Sequence, residues 1–318
     1  MGLFNFWKKR NKETERFSIK HLPSLLLTTV KAWNQGDPWR QSAVVAYYAI
    51  LALPGLLVIL ITMLGYLWGT ESVQGRIYNQ IESVMGESTA ISIQSIMENV
   101  AKGESSLIAT IIGIGALIFG ATGVFFHLQI SINKIWEVES DPKNQILRYL
   151  IDRSKSFGFV LVIGFLMLIS FVISALLMIM QEYLQQWFPD FIFHLFWVAE
   201  LVISFGVITV LFALIFKYLP DVHIGWRSVW VGALITSFLF ALGKELLSFY
   251  FGQSNPGSVY GAAGSLIIMM LWVSYSCLIL FFGAEFTSAY TKRYGIKFIP
   301  KSYAKFEGSD SVEGNRAD

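Results

Sequence analysis

A chain of 318 residues with 54% hydrophobic and 14% charged residues and a mean hydropathy of +0.56 lacks the make-up of a water-soluble globule; its apolar residues fall in long blocks, the pattern of one membrane domain with short polar ends. A net charge of +2 excludes the strongly basic surface of a nucleic-acid binder. The one cysteine, Cys277, excludes an intrachain disulfide framework and a CxxC metal site, and within an apolar block it reads as a packing residue.

The opening MGLFNFWKKRNK sets aromatics before basic residues and has no apolar h-region, so no cleavable signal is expected, and Phe6 stands where a myristoylation signal needs Ser or Thr. From Ser18 to Trp33, Leu22, Leu25, Leu26, Val30 and Trp33 recur at helical spacing. This predicts an amphipathic helix, either lying on the inner membrane surface or packed as a lead-in to the first span.

A spanning helix needs about 20 mostly apolar residues to cross about 30 Å of hydrocarbon. Six blocks meet this: Ala43 to Trp68, Ser106 to Phe126, Ser156 to Met180, Leu195 to Phe216, Val229 to Phe251 and Ala262 to Phe286. The first holds Pro54 and Gly55 near its middle; the proline removes a backbone donor and should kink the helix, as architecture or as movable backbone. The loop from Gly69 to Ser105 carries acidic amphipathic stretches, Ile77 to Met85 and Ala90 to Val100, read as two short helices. The second block contains Gly113, Gly115, Gly120 and Gly123 with Ala109 and Ala116, a face built for close helix contact. Its continuation carries His127, Gln129, Asn133 and Trp136, which predicts a solvated extension with an interfacial tryptophan.

Ionisable residues inside spans cost roughly 2.5–3.5 kcal/mol each on insertion scales, so they mark candidate sites. Glu200 lies near the outer end of the fourth block, and Lys244 with Glu245 near the outer end of the fifth, all on the order of 10 Å below the outer surface. Lys244 shares a small-residue face with Ala233, Ser237, Ala241 and Ser248. Two readings stay open: an ion pair that only holds helices together, or a polar cavity in which Lys244 meets an anionic group while a carboxylate exchanges protons. The segment Ser254 to Ser265, SNPGSVYGAAGS, offers Asn255, Pro256, Gly257, Tyr260 and Gly261, as a plain turn or a short re-entrant stretch lining a cavity. Glu285 at the inner end of the sixth block joins His127 and Asn133 as a weaker, inner-mouth set.

Lys and Arg fix the expected orientation, because cytoplasmic flanks retain them. Eight precede Ala43, five lie between His127 and Lys155, two between Lys217 and Arg227, and six follow Glu285, twenty-one of twenty-four. Both ends are therefore expected in the cytoplasm, which requires an even number of spans. No internal repeat is visible: Pro54 has no counterpart in the fourth block, so the inverted-repeat signature of many transporters is missing. Catalytic signals are also missing. The histidines, His21, His127, His194 and His223, match no HExxH spacing, and neither GxSxG nor a phosphate-binding GxxxxGK[ST] occurs.

Three stretches carry a resemblance: RQSAVVAYYAILALPGLLVIL (Arg40 to Leu60), NKIWEV (Asn133 to Val138) and YGAAGSLIIMMLWVSYSCLILFFGAEF (Tyr260 to Phe286). In this order they resemble the YihY or BrkB-type membrane proteins, once labelled ribonuclease BN, over roughly residues 20 to 295. Ala52 and Leu53 before Pro54 depart from the serine and bulky apolar residue expected there. The resemblance implies a cytoplasmic-membrane protein with six spans, and transport or flipping of a lipid or other amphiphile. The ribonuclease label conflicts with residues that offer neither a metal cluster nor a basic RNA-binding domain.

The expectation is an all-α polytopic membrane protein with six transmembrane helices, an amphipathic N-terminal helix and a short helical outer loop. Residues 1–42 form a cytoplasmic segment, 43–290 the membrane domain with outer loop 69–105, and 291–318 a disordered cytoplasmic tail. Its expected function is a transporter, exporter or flippase in a bacterial cytoplasmic membrane, not an enzyme. The partners are membrane lipids and an anionic lipid or amphiphile as substrate; no cofactor, metal or nucleic acid is expected. A non-transporting scaffold that binds envelope proteins is the alternative, and a membrane-embedded hydrolase the least favoured.

Overall fold

The computed structural model describes residues 19–69, 107–140, 189–254 and 264–307, with 74–75, 77–79, 90–91 and 94 between them. Among the described residues six α-helices dominate: α1 (Leu22–Gln35), α2 (Pro38–Trp68), α3 (Leu107–Ile135), α4 (Pro189–Tyr218), α5 (Trp226–Ser254) and α6 (Gly264–Arg293). Among the described residues four stretches are long and apolar enough to cross a membrane: Ile114–Ile135, Leu201–Tyr218, Trp226–Leu247 and Leu266–Arg293. They fall on the second, fourth, fifth and sixth apolar blocks. The first block lies inside α2, one helix of 31 residues that runs through Pro54 without a break. The third block, Ser156 to Met180, and most of the 69–105 loop lie outside the described residues.

The chain folds into two compact units. The first comprises Met1–Asp37, Gln129–Phe238 and Leu280–Asp318. Its core gathers Leu25 from α1 with Phe286, Tyr290 and Tyr294, and Leu22, Leu26, Val231, Ile235, Ala289 and Ile296 pack against them. Within α1, Leu25 is 2% exposed and Thr29 fully buried, His21 Nδ1 meets the Tyr294 hydroxyl at 3.1 Å, and Arg293 reaches Ser24 Oγ at 2.6 Å. Of the two readings of this helix, these contacts favour the packed one. Gly36 ends α1, its N–H bonded to the Ala32 carbonyl at 3.0 Å and the Trp33 carbonyl at 3.1 Å. Asp37 follows in left-handed backbone, φ 58°, which no α-helix continues, and Pro38 with its fixed φ opens α2.

Two short antiparallel ribbons belong to the same unit. β1 (Val138–Ser140) pairs with β4 (Ala304–Phe306), Val138 opposite Phe306, and β2 (Val222–His223) pairs with β3 (Ile299–Pro300), Val222 opposite Pro300. The Lys301 N–H donates to the Asp221 carbonyl at 3.0 Å, and the Glu307 N–H to the Glu137 carbonyl at 2.9 Å. These bonds correct the expected disordered tail from 291 to 307: backbone groups that water would have satisfied find partners on the segments after α3 and α4.

The second unit comprises Pro38–Leu128 and Leu239–Ile279. Here α2 meets α3 where Gly120 approaches the backbone of Tyr48 and Ala52; a Cβ on Gly120 would stand 2.6 Å from the Ala52 nitrogen. Gly123 lies under the Tyr48 ring, and that ring stacks on His127 at 5.0 Å. Gly120 and Gly123 thus fulfil the small-residue face read from the second block, whereas a Cβ on Gly115 would meet nothing within 4 Å. Further along, Gly243 of α5 faces Tyr275 and Ile279 of α6.

In the first unit α5 and α6 interlock reciprocally. Thr287 sits against Gly232, and Thr236 against Gly283, so the helices run antiparallel with a four-residue step on each side. Each threonine hydroxyl donates to the carbonyl of the glycine one turn before it, Thr236 to Gly232 and Thr287 to Gly283, both at 2.7 Å. The glycine supplies the space for the opposite threonine and the acceptor for its own. In lipid, where burying apolar surface drives little helix association, such close approach supplies the packing energy.

Gly283→Leu should therefore drive a side chain into Thr236 and cost about 1–3 kcal/mol or more, read as a lower melting temperature in detergent. Gly115→Leu should shift the same measurement by no more than about 0.5 kcal/mol.

Candidate functional site

Lys244 and Glu245 both lie on α5 within the candidate span Trp226–Leu247. Lys244 is half-buried and Glu245 exposed, and around them Leu242, Leu246, Phe249 and Tyr250 are also exposed. Among the described residues no hydrogen bond or ion pair engages either charge. Glu200 lies in α4, and its side chain is outside the described residues. Pro54 and Gly55 lie in α2, with Gly55 buried. Asn255, Pro256, Gly257, Tyr260 and Gly261 fall outside the described residues; α5 ends at Ser254 and α6 starts at Gly264.

The weaker, inner-mouth set fares differently residue by residue. His127 is half-buried against Tyr48. Glu285, on α6, is half-buried, with Oε1 3.7 Å from where a Cβ on Gly36 would stand, and the neighbouring Phe282 meets Trp33 edge to face at 6.2 Å. Asn133 enters a buried polar cluster centred on Asp221, the residue that follows Pro220 between α4 and α5. Asp221 is 0% exposed. Gln129 Nε2 donates to its Oδ1 at 3.0 Å, Asn133 Nδ2 to Oδ2 at 2.9 Å and Ser140 Oγ to Oδ2 at 2.6 Å. Asn133 Oδ1 accepts the Asp221 N–H at 2.8 Å, so that the asparagine side chain bonds the same residue twice.

This cluster corrects the solvated extension expected after the second block. Gln129 and Asn133 stand four apart and share one face of α3. That face turns to Asp221 rather than to water, and Trp136 is 1% exposed, closed in by Phe298 at 5.1 Å. Around Trp136 the helix ends on three bonds: Trp136 N–H to the Ile132 and Asn133 carbonyls and Glu137 N–H to the Lys134 carbonyl, at 3.2, 3.1 and 3.1 Å. Glu137 then takes φ 55° and pairs with Lys292 Nζ at 2.9 Å. Asp221 escaped the sequence reading because a single carboxylate in a polar turn looks solvated. The signal that points to it is the pair of amides four residues apart on an otherwise apolar helix.

Chemically, the cluster has its donors committed to one carboxylate, which makes it a clamp.

A family model described as Virulence factor BrkB matches residues 29–304. Among curated proteins, the chain is similar to a UPF0761 membrane protein of Psychromonas ingrahamii, 26% identical over 76% of this chain and 79% of that one. A second UPF0761 membrane protein, from Alteromonas mediterranea, is 24% identical over 76% and 79% of the two chains. A third, from Verminephrobacter eiseniae, is 27% identical over 69% of this chain but only 49% of its own length. No solved structure matches.

Removing the carboxylate with Asp221→Ala should strand two amides and a hydroxyl and cost on the order of 3–5 kcal/mol, seen as a lost or strongly lowered melting transition in detergent. Asp221→Asn keeps one acceptor and should fall between that variant and the parent. A parent-like melt for Asp221→Ala would overturn the clamp.

Proposed function

Because the chain belongs to the virulence factor BrkB family, we propose that it is a six-span protein of a bacterial cytoplasmic membrane, both ends in the cytoplasm, that moves an anionic amphiphile or lipid across the bilayer. The observation that carries this reading is the Lys244–Glu245 pair, set in a stretch apolar enough to span a membrane and left accessible. A charge kept in such a stretch is expensive, and its retention calls for a role. Lys244 offers an ammonium on a flexible apolar stem that can follow a phosphate or carboxylate between the hydrocarbon and the headgroup level. Glu245, one residue on, can accept a proton as the cation is engaged. Glu200 on α4 is the third member of this proposed site. Pro54, which donates no backbone hydrogen bond, and Gly55 beside it supply α2 with backbone that can move without breaking a full helical ladder.

In this reading the chain is a conduit and performs no covalent chemistry. It needs no cofactor, and its partners are lipids of the surrounding membrane. The charge bias of the loops supports the orientation.

Two measurements test these claims. Reconstituted into liposomes with labelled anionic phospholipid, with and without a pH gradient, the protein should move label between leaflets, and Lys244→Met should slow movement about tenfold or more, the equivalent of one lost charge contact. Unchanged movement at normal membrane abundance would remove Lys244 from the mechanism. For orientation, Cys277→Ala provides a background in which single cysteines report exposure. A cysteine at Asn5 or Gly314 should react with a membrane-impermeant maleimide only after permeabilisation, and one at Ser88 should react in intact cells. Labelling of either end from outside would overturn the topology.

A further inference from the structure

At the turn between α4 and α5, three rings and two lysines meet on a corner that the transport reading leaves unused, and an exposed arginine follows Trp226 in the chain. Tyr218, the last residue of α4, is 51% exposed, and Trp226 and Trp230, one turn apart on α5, are 44% and 42% exposed. Tyr218 meets Trp226 edge to face at 6.3 Å, and Trp226 stacks on Trp230 at 6.3 Å. Lys217 Nζ lies 5.4 Å from the Trp226 ring centroid and donates to the Ile224 carbonyl. Lys301 Nζ donates to the Tyr218 carbonyl at 3.3 Å, and Arg227 is exposed beside Trp226. The acidic residue of this turn, Asp221, is buried and engaged by Gln129, Asn133 and Ser140.

The candidate spans Leu201–Tyr218 and Trp226–Leu247 respectively end and begin at this corner. Exposed indoles at a span end sit at headgroup level, and basic side chains there attract anionic headgroups. Rings alone would make a belt indifferent to headgroup charge. Lys217, Arg227 and Lys301 add positive charge to these rings, while Asp221, the acidic residue of the turn, is turned inwards, and that bias selects for an anionic headgroup. We propose that this corner binds an anionic phospholipid, its phosphodiester among Lys217, Arg227 and Lys301 and its glycerol and upper acyl carbons along Trp226 and Trp230. The site is independent of whether the protein transports anything.

Native mass spectrometry of the full chain in detergent, titrated with phosphatidylglycerol or with phosphatidylcholine, tests it. The parent should prefer phosphatidylglycerol by about tenfold. Arg227→Gln, which removes an exposed side chain, should weaken phosphatidylglycerol binding about fivefold, the worth of one cation near such a headgroup. Lys217→Gln with Arg227→Gln should abolish the preference, whereas Lys20→Gln with Lys31→Gln, equal in charge and also exposed, should keep it. No preference in the parent, an equal loss in the Lys20 and Lys31 control, or an Arg227→Gln variant that melts and binds like the parent would overturn the assignment. Displacement of the lipid by millimolar inorganic phosphate would also overturn it, in favour of a site for a free anion.

Discussion

A carboxylate sealed from water must be met by donors, and the demands of Asp221 organise the end of the first unit. Left alone, such a group would cost several kcal/mol. Here the Gln129 and Asn133 amides come from the last two turns of α3, and the Ser140 hydroxyl from the strand that follows. The Asp221 backbone carbonyl then takes the Lys301 N–H, which brings in the chain that has already left α6. One residue thus fixes the segment after α3, the turn after α4 and the approach to the last strands. Each neighbouring feature fits this constraint: the buried Trp136, the helix stop at Glu137, and the pairing of Glu137 with Lys292.

The apolar helices hold together differently. Lipid is as apolar as leucine, so the contacts that matter are those where two backbones come close. Gly120 and Gly123 let α3 reach Tyr48 and Ala52, and Gly243 lets α5 reach Tyr275. Large apolar side chains point outwards instead: on α5, Leu234, Phe238, Leu242, Leu246 and Phe249 are each 48% exposed or more. This inverts the soluble pattern, and it suits a chain whose surroundings are hydrocarbon. Lys244 and Glu245 are set among those apolar side chains, Lys244 half-buried and Glu245 exposed.

Much of the fold was legible because span length and glycine spacing are local properties. The second, fourth, fifth and sixth blocks emerged as helices, and the Gly120–Gly123 face packs as its spacing implied. NKIWEV was legible as a stretch worth singling out, but its meaning was not. Asn133 and Trp136 read as solvated because nothing local announces that Asp221, 88 residues later in the chain, will meet them. The strands after α6 are two or three residues long, too short for an alternating pattern, and their pairing is decided by distant segments. For the candidate site, the sequence placed Lys244 and Glu245 within a helix correctly. What surrounds them depends on three-dimensional arrangement, which no spacing along one helix encodes.

The reciprocal threonine and glycine contacts between α5 and α6 carry one more implication. Both hydroxyls donate inside their own helices, so this seam is stitched by shape and spends no donated hydrogen bond across the gap. Its grip is consequently blind to acidity and ionic strength, and it responds to volume alone.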